Sequence, residues 1–253
     1  MTRLRKCLQT ERLVSVPTAN LLYKREYAVT EQITIRIPTI GEVIEDEDSY
    51  NLVLSVWTST PADYMVFLDD NGIDFTELND YDLFLILSQL LATCDTSMFF
   101  GDFDFSKFKV AEDIERKQMV LLNAEDNIVI DSGVYYSIAA VLRKITASTR
   151  TNKVPAGEET KKYMLERERI KMNRRKNKKQ ESQIETLITA MVNTQQYKYD
   201  YEGTRNLTVY QFFECVKQVI KKVDYENRMI GVYAGTVSVK DLSNDDLNWL
   251  IHK

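Results

Sequence analysis

Apolar residues recur along this chain at helical spacing more often than they alternate. Behind Asn79 and Asp80 come Tyr81, Leu83, Phe84, Leu87, Leu90 and Leu91, which share one side of a 3.6-residue period and predict a capped, half-buried helix. Asp131 and Ser132 precede a second set, Tyr135, Ile138, Ala139, Leu142 and Ile145. Thr208 precedes a third over residues 208–227, with Phe212, Val216, Val219, Ile220 and Val223 as the apolar face. Two shorter helices are predicted from their caps. Thr60 as N-cap, Pro61 in the first position and Asp63 reaching back start one that carries Tyr64, Met65, Phe67 and Leu68 and stops at Asn71-Gly72. Ser243, with Asp246 as its capping-box partner, starts another that carries Leu247, Trp249, Leu250 and Ile251.

Alternation is confined to a few stretches. Ile33, Ile35 and Ile37 against Gln32, Thr34 and Arg36 predict a half-buried strand over residues 28–37, closed by Pro38 and Gly41. Residues 119–122 and 128–130 read as a hairpin around the polar turn at residues 123–127. Tyr197, Tyr199 and Tyr201 alternate with Lys198 and Asp200 ahead of Gly203, as a short strand or an extended linker. Residues 50–58 are apolar throughout, and periodicity leaves helix and strand both open. Residues 148–155 form a polar connector, and the chain has no internal repeat.

The longest predicted element covers residues 157–193. It has no glycine or proline after Gly157 and is rich in residues that lose little side-chain freedom in a helix. Unbroken, it would extend about 54 Å. Between Met172 and Ile184 it has no apolar side chain; Ile184, Leu187, Ile188 and Met191 then resume the helical period. The expectation is one helix anchored at both ends, with a basic span facing solvent or a partner.

Charge sharpens that picture. From Lys161 to Lys179 the local net charge is +8 in a chain whose total is −5, so the rest sums to −13. Between Arg36 and Lys107 there are fifteen acidic residues and no basic one. Such segregation implies either internal pairing or two surfaces for two partners. The candidate partner-binding residues are Arg167, Arg169, Lys171, Arg174, Arg175, Lys176, Lys178 and Lys179. A solvated face or one for an acidic protein partner is favoured over a nucleic-acid grip. No aromatics interleave the cations, and the acidic remainder of the chain (pI ≈ 5.2) repels a polyanion. No large apolar residue sits opposite the charges, so no membrane partner is expected.

Composition removes several function classes. A 44% hydrophobic content with four prolines predicts a folded chain, and no apolar run reaches the roughly 18 residues of a membrane span. The first residues lack the apolar core of a secretory signal. Cys7, Cys94 and Cys215, far apart and without CxxC spacing, read as reduced, mostly buried thiols. The single histidine, His252, rules against a two-histidine zinc site and a histidine-based catalytic triad. The aspartate-rich run at residues 69–80 has the wrong register for a calcium loop, since Gly72 at its sixth position puts Phe67 first; it reads as an Asn-Gly turn and a helix cap. Asp102 and Asp104 form only a common surface pair, and no phosphate-binding or nucleophile-elbow motif occurs. The expectation is a non-enzymatic protein with no catalytic residues, no cofactor and no metal site.

Two stretches carry a resemblance. Residues 16–43, VPTANLLYKREYAVTEQITIRIPTIGEV, resemble the opening of baseplate-hub and tail-assembly proteins of contractile-tailed bacteriophages, where a proline-containing LY segment leads into a strand. Residues 190–250, from AMVNTQQYKYDYEGT to KDLSNDDLNWL, are similar to uncharacterised proteins of phages and prophages of Gram-positive bacteria. The resemblance implies a tail-morphogenesis protein, either an assembly chaperone or a minor tail or baseplate component. Its partners would be phage tail or baseplate proteins or further copies of itself, in the cytoplasm of the host bacterium or in the virion tail. The competing reading is a nucleic-acid-binding protein that uses the basic helix. The expected fold is α+β: a mixed α/β part over residues 1–150, the long basic helix and connector over 151–195, and a small, mainly helical part over 196–253.

Overall fold

The computed structural model describes residues 21–114, 117–176 and 182–250. The expectations placed on Cys7, Lys178, Lys179, His252 and residues 16–20 lie outside these. The fold is α+β, with ten helices and two small antiparallel sheets among the described residues.

The first sheet is a hairpin of β1 (Glu26–Ala28) and β2 (Thr34–Arg36), with Tyr27 opposite Ile35. The predicted strand over 28–37 is therefore right only in its second half. The Thr30 hydroxyl accepts from the Ile33 N–H at 3.0 Å and reverses the chain within residues 29–33. Ile33, Ile35 and Ile37 are buried, as the alternation requires. Nor do Pro38 and Gly41 end the element in a loop. Thr39 and Glu42 form a capping box for α1 (Ile40–Glu45), and Gly41 lies buried within it. Asp46 then caps α2 (Glu47–Thr58) by accepting from Ser49 N–H, which settles residues 50–58 as helix. Glu42, Glu47 and Asp48 thus occupy the first turns of two helices and Asp46 caps the second, where carboxylates meet free N–H groups and the positive end of the dipole, while Glu45 ends α1.

The Thr60–Asp63 cap forms, with the Thr60 N–H donating to the Asp63 carboxylate at 2.9 Å. It closes a turn rather than a helix, and α3 begins only at Met65 (Met65–Asp70). Phe67 on this helix is 46% exposed. The chain reverses at Gly72 (φ +73°), where a side chain would be strained. Asn79 and Asp82 box the start of α4 (Asp80–Leu87), whose Tyr81, Leu83, Phe84 and Leu87 are buried. A 3-10 turn (Ser88–Thr93) buries Leu91 and exposes Leu90, contrary to expectation. Then come α5 (Ser97–Phe100) and the second sheet, β3 (Lys109–Asp113), β4 (Gln118–Asn123) and β5 (Ile128–Ile130), in the order β3-β4-β5. The expected hairpin is β4–β5, with Leu121 opposite Ile130. Asp131 caps α6 (Ser132–Ile145), which packs on α2 with all five expected apolar residues buried.

The predicted long helix is two. α7 covers Glu158–Lys176, and a new helix, α8 (Gln183–Val192), starts at Ser182, whose side chain accepts from Glu185 N–H while its backbone is extended. Tyr197 is buried and its hydroxyl lies 3.0 Å from Thr204 Oγ1. The tyrosine alternation forms no strand, because Asp200 caps α9 (Tyr201–Arg205). Thr208 caps α10 (Val209–Tyr233), longer than expected, with Ile220 62% exposed. The Ser243–Asp246 box holds a turn rather than a helix.

Two segments far apart in the sequence, around Thr39 and Thr208, meet at paired helix caps. Thr39 and Thr208 form an antiparallel bridge, Ile40 N–H donates to Leu207 O at 2.9 Å and Val209 N–H to Pro38 O at 2.8 Å. A Cβ on Gly41 would stand 2.8 Å from Arg205 Cγ, so glycine there lets α9 lie against α1. Buried side chains of α2, α4, α6, α8 and α10 belong to one hydrophobic core.

Candidate functional site

α7 has two unlike sides. Lys161, Leu165 and Arg169 recur every four residues and face the body of the protein. Leu165 is buried, and α7 packs along α3. Arg169 Nη2 reaches both Asp69, at 2.7 Å, and Asp70, at 2.6 Å, at the end of α3. Lys161 Nζ lies 2.5 Å from Asp74 Oδ2 and 5.9 Å above the Phe75 ring. Part of the charge segregation seen in the sequence is thus internal pairing. The aspartate-rich run around Gly72 does receive a cation, the ammonium of Lys161.

The Asp74 carboxyl is lowered from its usual 3.8 to about 2, first by the hydrogen bond from Lys161 and then by those from the Thr76 hydroxyl and N–H. Because the folded value is the depressed one, this carboxylate contributes its full stability above pH 3.8 and loses it as pH falls towards 2. Asp74→Asn is therefore expected to be less stable than the parent chain at neutral pH and equal to it at the acid end. Urea unfolding across that range checks this; a difference independent of pH would contradict it. The effect is small, since both partners are partly exposed.

The opposite side of α7 carries Tyr163, Arg167, Ile170 and Arg174, spaced by four, three and four residues. Tyr163 is 62% and Ile170 46% exposed, and both arginines are exposed. Among the described residues Arg167, Arg174 and Arg175 form no ion pair, while Lys171 binds Glu168 within the helix at 2.8 Å. Of the eight candidates, Arg169 is thus turned inward onto α3 and Lys171 is engaged locally. Arg167, Arg174 and Arg175 are free at the surface among the described residues. Lys176 is the last described residue of α7, and Lys178 and Lys179 lie outside the described residues. The sequence reading missed Tyr163 and Ile170 because it weighed the charge run alone. Their helical spacing with Arg167 and Arg174 was the signal that could have found them.

No group of three histidine, cysteine, aspartate or glutamate residues is placed to hold a metal among the described residues. Cys94 and Cys215 are free and half-buried rather than fully buried, and burial raises both thiols. A cleft between α1, α8 and α9 is lined by Ile40, Ile44, Ile188, Tyr201, Glu202 and Arg205, with Arg205 bound to Glu45 at 2.6 Å across its edge. It combines an apolar floor with one closed ion pair. Among the described residues no helix is long and apolar enough to cross a membrane.

No curated protein and no solved structure matches this chain. A model of the family described as YomV second domain matches residues 176–252, the stretch from the end of α7 through α10 to the tail. That similarity supports a phage- or prophage-associated protein, in line with the resemblance read in residues 190–250.

Proposed function

We propose that this is a non-enzymatic protein of phage tail morphogenesis, an assembly chaperone or minor tail or baseplate component, that binds an acidic protein partner through the outer side of α7. The observation that carries the reading is the division of α7: one side is pinned to α3 by Leu165, Lys161 and Arg169, and the other offers Tyr163 and Ile170 among unpaired arginines. A helix held in place on one side presents its other side with little loss of conformational freedom on binding. Aromatic, aliphatic and arginine side chains in one stripe are the residue types that anchor protein interfaces. The phage-associated similarity of the C-terminal part supports the biological setting.

The test is capture of the tagged chain from phage-producing cells, with and without nuclease, with retained proteins identified by mass spectrometry. Tail proteins retained after nuclease are the expected result. Arg167→Glu with Arg174→Glu should weaken that capture by at least about tenfold while leaving the far-ultraviolet spectrum unchanged. Retention of nucleic acid, with protein partners lost on nuclease treatment and affinity falling steeply with salt, would make the stripe a phosphate grip and overturn the proposal.

A further inference from the structure

The second sheet ends on an open edge. In the order β3-β4-β5, β4 is paired on both sides, while β5 has three residues and leads through Asp131 into α6, which lies against it. β3 pairs with β4 over all five of its residues, and alternate N–H and C=O groups of an antiparallel strand face away from its partner. Among the described residues none from outside the sheet hydrogen-bonds to the backbone of Lys109, Val110, Ala111 or Glu112. A strand in this position is a template for one more strand.

The side chains select which strand fits. Lys109, Val110 and Glu112 are exposed, and Ala111 and Asp113 are half-buried. Charged side chains on an edge normally guard it against chance pairing. Here the charge runs from positive at Lys109 to negative at Glu112 and Asp113, so the guard has one exception. Laid antiparallel on its own copy with Ala111 at the two-fold axis, KVAED sets Lys109 against Asp113 twice and Val110 against Glu112 twice. No like charges are opposed. One residue further out, Ile114, 83% exposed where the turn begins, comes opposite the half-buried Phe108. Other registers lose this match. An axis at Glu112 opposes two carboxylates, and an axis at Val110 sets Lys109 against Ala111. A parallel copy in register sets every charge against itself.

We propose that two copies of this chain join edge to edge through β3, antiparallel about a two-fold axis at Ala111, to form one six-stranded sheet. The backbone ladder supplies the attraction, and the order of the charges turns away edges of other sequence. The inference is independent of the function proposed for α7.

Five residues a side bury less than the roughly 1,200 Å² of a standard interface, so a Kd of about 1–100 μM is expected. Sedimentation equilibrium of the full chain up to about 500 μM should give a mass approaching twice 29.5 kDa. Lys109→Glu opposes carboxylates at both ends of the pair. It should weaken association at least about tenfold with an unchanged far-ultraviolet spectrum, because Lys109 is exposed in the monomer. A cysteine at the axis reads the register directly. Two copies of Ala111→Cys would hold their Cα atoms within the roughly 4.4–6.8 Å that a disulfide spans, so mild oxidation should link them into a dimer. Two copies of Glu112→Cys would lie two residues apart along the strands and should not link. The parent chain, with its own three cysteines, is the blank. A parent chain that is monomeric at about 500 μM, Lys109→Glu associating as tightly as the parent, or Ala111→Cys linking no faster than Glu112→Cys would each overturn the proposal.

Discussion

Asp80→Ala is expected to destabilise the protein by about 3–5 kcal/mol, the range for removing one member of a buried charge cluster. The Asp80 carboxylate is 1% exposed, and Arg150 forks onto it, Nε to Oδ2 at 2.7 Å and Nη2 to Oδ1 at 3.0 Å. Arg143 Nη2 stands 3.7 Å from the same Oδ2 and donates to Thr58 O at 2.9 Å. Asp80 also occupies the first turn of α4, where the helix dipole favours a negative charge. Alanine would take the Asp80 charge from beside the Arg143 guanidinium, whose side chain is 12% exposed. Arg150→Ala is milder, about 1–3 kcal/mol, because Arg150 is 30% exposed and Arg143 remains beside the carboxylate. Urea unfolding of both single variants and of the double variant measures the coupling, which should exceed about 1 kcal/mol. A loss below about 1 kcal/mol for Asp80→Ala would place the cluster with ordinary surface pairs and contradict this account.

The cluster also bears on the proposed partner-binding side. Arg150 lies in the polar connector between α6 and α7, and its fork on Asp80 fixes that connector against α4. Together with Lys161–Asp74 and Arg169–Asp69, it gives α7 three ties to the helices α3 and α4 and the loop joining them. These ties set which side of α7 faces outward. The acidic stretch between Arg36 and Lys107 therefore has an internal role that its sequence announces only as charge.

What was legible in the sequence follows from how local its causes are. The caps at Asn79, Asp131 and Thr208 and the apolar faces behind the first two were readable because a cap and a helical period sit within a few residues of one another. The first hairpin was misread because Thr30 turns the chain inside an apparently continuous alternation. The strand β3 was missed because KVAED carries no apolar alternation and pairs only through its backbone with β4. The single long helix failed at Ser182, a cap among residues of high helix propensity, where propensity alone gives no boundary. Of the candidate side, the charge was readable, but which arginine turns inward was not. Arg169 and Arg167 are alike in composition and two residues apart, and only the position of α3 separates them. Ile220 was placed on the apolar face of its helix, yet lies exposed, because helical spacing finds an apolar side without saying what covers it.

Trp57→Ala is expected to destabilise the fold by about 3–5 kcal/mol, and Trp57→Phe by much less than its lost volume implies. Trp57 on α2 is fully buried, with ring centroids of Phe84 at 4.4 Å, Phe100 at 5.4 Å and Tyr135 at 6.0 Å. It joins α2 to α4, α5 and α6, so alanine would open a cavity walled by rigid rings that cannot collapse to fill it. Its indole N–H is buried without a hydrogen-bond partner among the described residues, a desolvation penalty of about 1–3 kcal/mol carried by the native state. Phenylalanine removes that donor while keeping most of the ring contacts, so the relief offsets the smaller cavity. The two variants should therefore differ by at least about 2 kcal/mol in urea unfolding followed by circular dichroism. A Trp57→Phe loss in full proportion to the volume it removes would mean that the N–H carries no penalty in the folded protein. In that case a bound water must satisfy it, and Trp57 acts through volume alone.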